Sequence, residues 1–393
     1  MGLLKQKHNR QQHDHAHHHD HPNAVARKPS VDANGSSGAD VPPEQKAGWT
    51  SFIKQLAHMT GDLSSMTAPP FILSPTSLTE FPAYWCEHPE LFAAISEGKD
   101  AEDRAERVLK WFIATLKGQY TMGSEKKPLN PVLGELFYGS WPDVNMRGET
   151  ELVVEQVSHH PPITAYWIQN KEAGVTLQGH SGQKTSFSGT AIHVKPKNGD
   201  AEESYLITLP KLRIDGIIWG SPYIELTETS AIQGSTGYAS HIEYKGKGYF
   251  SGKAHSFKAE LSKNGKKIQT YEGQWTGVSN VGSAKGPVFY DASAPKQEVT
   301  VKPIDQQGEW ESRRLWQQVA NGIRTGDYET AGREKTRIEN EQRQRRKDEQ
   351  AAGTPWQLVR FEHVDSDPEF QKLAAMMSDK AVPATEDAYV FKG

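Results

Sequence analysis

Apolar side chains recur along this chain in two periods, and the changes between them divide it. Trp49, Phe52, Ile53, Leu56 and Met59 follow one another at three- and four-residue steps, which predicts an amphipathic helix of about three turns with Gly61 as its stop signal. The run Ala68-Pro69-Pro70-Phe71-Ile72-Leu73 must be extended or looped at its prolines. Ala83 to Ile95 reads as two short helical pieces divided at Pro89. Ala101 to Lys117 reads as a better helix, acidic at its start, with Val108, Leu109, Phe112, Ile113 and Leu116 on one stripe. From Glu151 to about Tyr290 the period shortens. Runs at Leu152 to Val157, Ile163 to Ile168, Tyr205 to Leu209, Gly248 to Leu261 and Ile268 to Trp275 alternate with Gly, Asn, Pro and Asp clusters, which predicts a sandwich or an antiparallel barrel. Helical patterns return at Glu309 to Ala320 and Asp327 to Gln350. Their dense charge leaves too little apolar surface for a separate core, so they must dock on the strands or lie in solvent.

Composition narrows the function classes. The 393 residues are 35% hydrophobic and 24% charged, with a net charge of −4, which argues against a dedicated nucleic-acid binder. Cys86 is the only cysteine, which forbids an internal disulfide and suits a reducing, cytoplasmic compartment. No run approaches the roughly 18 apolar residues of a membrane span. The first residues lack the apolar core of a secretory signal, and Gln6 stands where a myristoylation motif requires Ser or Thr. Residues 1–46, with a His-rich run from His13 to His21, are expected to be a disordered tail. The rest reads as one domain, 47–393: a lid at 47–74, a helical region at 75–122, a barrel at 123–300 and a C-terminal helical region at 301–393.

Three clusters could carry chemistry. In Glu155-Gln156-Val157-Ser158-His159-His160-Pro161-Pro162 a strand must end at the prolines, and His160, preceding one, is pushed toward extended geometry. Three readings of the His pair stay open: a structural pair at a strand end, an anion site, or a metal or general-base site. Adjacent histidines chelate a metal poorly, and neither a G-x-S-x-G elbow nor a Walker A loop is present. In Lys126-Lys127-Pro128-Leu129-Asn130-Pro131, two prolines fix an irregular loop. The N–H groups of Leu129 and Asn130 are then available beside two ammonium groups, either as an anion cradle or as a solvated basic loop. Lys335, Glu339 and Arg343, at i, i+4 and i+8, share a helix face and read either as exposed ion pairs or as part of a site.

Four motifs in order, Ala68 to Ser74, Glu125 to Glu135, Glu155 to Pro162 and Gly248 to Lys253, resemble the ligand domain of the oxysterol-binding protein family, most closely its short fungal members. The resemblance runs from about Trp49 to Trp356. It implies an α+β fold: a single large, near-complete antiparallel β-barrel enclosing a lipid tunnel, with an amphipathic N-terminal lid helix, two helices before the barrel and C-terminal helices after it. It implies a non-enzymatic carrier, without metal or cofactor, that exchanges sterol for phosphatidylinositol 4-phosphate between membranes. Lys126, Lys127, Leu129, Asn130, His159, His160, Lys335, Glu339 and Arg343 would hold the phosphoinositide. Trp49, Phe52, Ile53 and Leu56 of the lid, with Gln119, Tyr120 and Ser181, would meet the sterol, Ser181 standing where the family supplies Asn. The same resemblance implies a monomer, cytoplasmic and reversibly peripheral on Golgi or endoplasmic reticulum membranes. No pleckstrin-homology segment or two-phenylalanine motif is expected to assist it. Rival functions are a phosphatidylserine/phosphatidylinositol 4-phosphate exchanger and a phosphoinositide hydrolase using the His pair.

Overall fold

The computed structural model describes Ala47 and residues 69–121, 126–143, 145–182, 190–215, 223–248, 252–378 and 388–393. The tail 1–46 and the helix expected around Trp49, Phe52, Ile53 and Leu56 lie outside the described residues. Strand β1 (Leu73–Ser77) pairs in parallel with β2 (Lys127–Leu129), a small sheet separate from the main one. Between them lie a 3-10 stretch (Leu78–Cys86) and helices α1 (Pro89–Ala93) and α2 (Ala101–Tyr120). The two short helical pieces expected on either side of Pro89 are this 3-10 stretch and α1, which Pro89 opens at a first-turn position where its missing N–H costs nothing. Asp100 caps α2, its carboxylate accepting from Asp103 N at 2.9 Å. The five apolar residues of the expected stripe, Val108 to Leu116, are all fully buried.

The main sheet begins at β3 (Leu136–Trp141), not at residue 123. It continues through β4 (Thr150–His159), β5 (Pro162–Asn170), β6 (Val175–Gly182), β7 (Thr190–Val194) and β8 (Glu203–Ile207). A separate hairpin, β9 (Lys211–Asp215) with β10 (Tyr223–Thr227), precedes β11 (Thr229–Gly234) and β12 (Tyr238–Lys245). The sheet then runs on through β13 (Ser256–Lys263), β14 (Lys266–Gln274), β15 (Val278–Val281) and β16 (Val288–Asp291). Among the described residues twelve strands lie side by side, β3 to β8 and then β11 to β16, every neighbour antiparallel. Of the strand expected from Gly248 to Leu261, the described part begins at Ser256, because Gly252 (φ 99°) and His255 (φ 61°) turn the chain in the left-handed region just before it.

The two end strands do not pair with each other. The chain leaving β16 runs back along β3 instead, where Ser140 N donates to Thr300 O (2.9 Å) and Thr300 N to Ser140 O (2.7 Å). The barrel is therefore nearly, not fully, complete. One continuous core joins its inner face to the helices: Trp85, Trp111 and Phe112 pack with Val154, Tyr166, Tyr205 and Tyr244. Strand alternation puts Leu152 and Val154 in that core and Val153 and Val157 in another, on the outer face.

After the barrel come α3 (Ser312–Leu315), α4 (Gln317–Thr325) and the long, charged α5 (Tyr328–Ala352). The region expected to be helical also contains a β-hairpin, β17 (Phe361–Val364) with β18 (Ala388–Phe391), and between its strands α6 (Pro368–Met376). Phe361, Leu358 and Phe391 of this segment cover Val157 and Ala165 on the outside of the barrel, and Phe391 stacks on Trp167 at 4.2 Å.

Candidate anion site at the barrel mouth

The His pair sits at the tip of a hairpin. His159 is the last residue of β4 and faces Pro162, the first of β5, so His160 and Pro161 alone form the turn. Pro161 and Pro162 thus end one strand and begin the next. Just before the turn a β-bulge sets Val157 and Ser158 opposite Ile163. A bulge re-aims the side chains that follow it. The two imidazoles lie edge to face with centroids 4.5 Å apart, where a regular strand would send neighbours to opposite sides.

A small second core brings the other parts to this turn. Leu73 of β1, Leu129 of β2 and Val132 pack with Trp316, Val319, Ile323, Ala331 and Ile338 from the C-terminal helices. Glu135, fully buried, ties the same pieces together. One carboxylate oxygen accepts from Ser77 Oγ (2.5 Å) and Thr79 Oγ1 (3.2 Å), the other from Val132 N (3.0 Å) and Trp316 Nε1 (3.0 Å). Burial pushes its pKa above that of an ordinary carboxyl group, and hydrogen bonding from Ser77, Ser312, Trp316 and the Val132 amide opposes that shift. Arg345 of α5 adds a third tie: its guanidinium packs against the adjacent rings of Trp310 (4.2 Å) and Trp356 (4.4 Å) and donates to Leu133 O at 2.7 Å.

Held this way, α5 presents charge to His159. The ring's pKa is lowered to about 4 by burial first, then by Arg346 and His160; the Pro131 carbonyl and Glu339 act in the opposite sense. His159, the 126–131 loop and α5 are therefore electrostatically in contact. His159 Nδ1 is enclosed without a hydrogen-bond partner, an unsatisfied polar atom of the kind ligands engage. His160 is exposed beside it. Lys335 forms an ion pair with Glu339 one turn along.

The expected residues differ in placement. Lys126 is exposed and Lys127 half-buried at the start of β2, opposite Leu73. The Leu129 side chain belongs to the small core, so only its backbone could face a ligand; Asn130 is exposed. Arg343 is exposed and donates to Asn340 Oδ1 (2.8 Å). Helix geometry explains why Arg346, absent from the sequence expectations, is nearer the histidines. At about 100° per residue, position i+11 from Lys335 returns to within about 20° of it, whereas Arg343 at i+8 is turned by about 80°. The i+11 spacing was available in the sequence; that this face looks toward the hairpin was not.

On the sterol side, Gln119 Nε2 donates to Thr115 Oγ1 at 2.8 Å near the C-terminal end of α2. Burial pushes the Tyr120 phenol well above its ordinary pKa, with Tyr166 adding to the shift, yet the ring keeps some accessible surface. That combination marks an internal, low-dielectric wall. Tyr166 and Tyr244 bond to Thr190 and Ser230, both at 2.6 Å. Ser181 pairs with Thr164, on the inner face with Tyr166, but is exposed. Among the described residues no group of three or more His, Cys, Asp or Glu is arranged for a metal, and no helix is long and apolar enough to cross a membrane.

Comparison with known proteins agrees with this architecture. The family model described as "Oxysterol-binding protein" matches residues 51–322. The chain is 58% identical over 372 residues to protein KES1 of Mycosarcoma maydis, covering 90% of this chain and 97% of that one. It is 46% identical to protein kes1 of Schizosaccharomyces pombe, covering 83% and 89%. Its fold is similar to the Osh1 ORD domain in complex with cholesterol (TM-score 0.69, 22% identity, 87% and 86% covered). It is also similar to the Osh3 ORD in complex with PI(4)P from Saccharomyces cerevisiae (TM-score 0.61, 22% identity, 80% and 86% covered).

Proposed function

The chain belongs to the oxysterol-binding protein family, and from that premise we propose that it carries sterol in its barrel and exchanges it for phosphatidylinositol 4-phosphate between membrane surfaces. The observation that carries the reading is the cationic mouth: an unpartnered, enclosed ring nitrogen on half-buried His159, flanked by His160, Arg346 and the Lys335–Glu339 pair. Such a pocket suits a phosphomonoester, which would accept charge-assisted hydrogen bonds worth about 1.5–3 kcal/mol each. Lys126, Lys127 and the backbone of Leu129 and Asn130 would close it from the 126–131 loop, and Arg343 would reach it from the next face of α5. Inside, Gln119, Tyr120, Tyr166 and Tyr244 offer a few hydroxyl and amide groups on an otherwise apolar wall, which suits a lipid with one small polar group. Similar folds solved in complex with cholesterol and with PI(4)P support the same pair of ligands.

Extraction from vesicles tests the reading. Purified protein is mixed with vesicles containing labelled sterol, phosphatidylinositol 4-phosphate or phosphatidylserine, and the soluble fraction is counted. Uptake of the first two is expected, with the lipid recovered chemically unchanged. Uptake of phosphatidylserine in place of sterol, or release of phosphate or diacylglycerol with turnover, overturns it.

A further inference from the structure

The motif that contains the His pair begins at a residue doing a different job. Alternation along β4 places Leu152 and Val154 inward, so Glu155 faces outward, away from the main core. It is nevertheless fully buried. Its partners are three consecutive backbone amides of the C-terminal segment: Val359 N donates to one carboxylate oxygen at 2.8 Å, and Arg360 N (2.8 Å) and Phe361 N (3.1 Å) to the other. The Arg360 guanidinium does not pair with it but donates to Tyr138 Oη (2.8 Å) and Gly393 O (3.1 Å).

From this point the chain forms a strap over the outside of the hairpin that carries the histidines. Upstream, the Trp356 ring lies where a side chain on Gly134 would collide, a Cβ there standing 2.4 Å from it. Downstream, Phe361 fills the space over Val157 and Ala165, Phe391 stacks on Trp167, and Phe391 N donates to Gln178 Oε1 at 2.9 Å. Val157 is in the bulge that aims His159. The outer face of the bulge is thus closed by a segment beyond the 51–322 match, and one carboxylate holds that segment at the strand where the bulge begins.

We propose that Glu155 is a positioning residue: by clasping the strap amides of residues 359–361 it fixes the bulge and hence the orientation of His159 and His160 toward an anionic headgroup. The headgroup part of this rests on the function proposed above; the mechanical part does not.

The test compares the full-length chain with its Glu155→Gln variant, which keeps the shape but turns an N–H donor toward backbone donors. Four quantities are read: amide hydrogen exchange at 359–364, exchange at 156–164, the NMR titration midpoint of His159, and vesicle extraction of phosphatidylinositol 4-phosphate against that of a fluorescent sterol. Exchange is expected to rise in both segments, and the His159 midpoint to move up from about 4 toward its ordinary value. Phosphatidylinositol 4-phosphate affinity should fall roughly tenfold, the effect of losing about one charge-assisted bond, with sterol uptake unchanged. Faster exchange in the strap with an unmoved hairpin and an unmoved His159 midpoint overturns the proposal. A wild-type protein that takes up no phosphatidylinositol 4-phosphate refutes the headgroup reading alone, while exchange and titration still decide the clasp. Should Glu155→Gln not fold, Phe391→Ala loosens the strap without touching Glu155, and the same pattern is expected in smaller amplitude; its absence overturns the proposal equally.

Discussion

Binding of a phosphomonoester beside His159 must be coupled to proton uptake, and the size of the coupling follows from the ring's surroundings. In the free protein, burial, Arg346 and His160 hold its pKa at about 4 instead of 6.5. A bound anion favours the imidazolium and returns the ring to roughly the ordinary value or above. With midpoints of about 4 free and about 6.5 bound, linkage makes the histidine's contribution to the association constant about tenfold larger at pH 5.5 than at pH 7.5. The phosphate's own ionisation near pH 6 opposes this, and a His159→Gln protein, which keeps that opposing effect, serves as the reference. The assay is calorimetry with a soluble inositol 4-phosphate at the two pH values on both proteins. The ratio of the two pH responses should be about ten; identical responses in wild type and His159→Gln would mean that His159 takes up no proton on binding. The same shift has a consequence for stability. Because the folded state resists protonating this ring, the penalty is absent above about pH 6.5 and grows as pH falls toward about 4. A shift of this size corresponds to at most about 3 kcal/mol, and the ring's partial exposure reduces that to roughly 1–2 kcal/mol.

Other substitutions separate binding from architecture. Arg346→Ala should weaken phosphatidylinositol 4-phosphate extraction about tenfold, leave sterol uptake intact and raise the His159 titration midpoint, because one of the charges that depresses it is gone. Glu135→Leu leaves four donors facing an apolar group and should cost about 3–5 kcal/mol in urea unfolding, with the C-terminal helices released first. Gly134→Ala, at φ 83° and with its Cβ 2.4 Å from the Trp356 ring, should destabilise by about 2 kcal/mol or more in thermal unfolding and lower headgroup affinity through the loop that carries Pro131.

Local pattern was enough for the parts of the fold that local pattern determines. The α2 stripe, the strand around Leu152 to Val157 and the ending of that strand at two prolines are consequences of period and of proline's missing donor. The barrel followed from the number of closely spaced strands and from resemblance. What could not be read depends on contacts between distant segments. The polar helix α5 has only Ala331, Ile338 and Gln342 buried along its length, so nothing in its own sequence says which face docks or that Arg346 looks toward His159. The segment after Pro355 has no long periodic run, and its β-hairpin exists because it lies across Trp167, Gln178 and Glu155. Glu155 itself sits in a motif whose histidines attract all the chemical attention, yet its partners are backbone amides, which carry no residue-specific trace in a sequence. The mouth residues were legible as types, a His pair, a Lys pair and a charged helix. Their convergence needed Glu135 and the small core around Trp316, which join β1, the 126–131 loop and the C-terminal helices.

On the proposed function, one barrel holds either of two lipids in turn. This is tested by loading the protein with a fluorescent sterol and adding vesicles that contain phosphatidylinositol 4-phosphate. Release of one sterol for each phosphoinositide taken up is expected, and loss of that release in a His159→Ala, His160→Ala protein that still loads sterol. Sterol that stays bound while phosphatidylinositol 4-phosphate is acquired would contradict it.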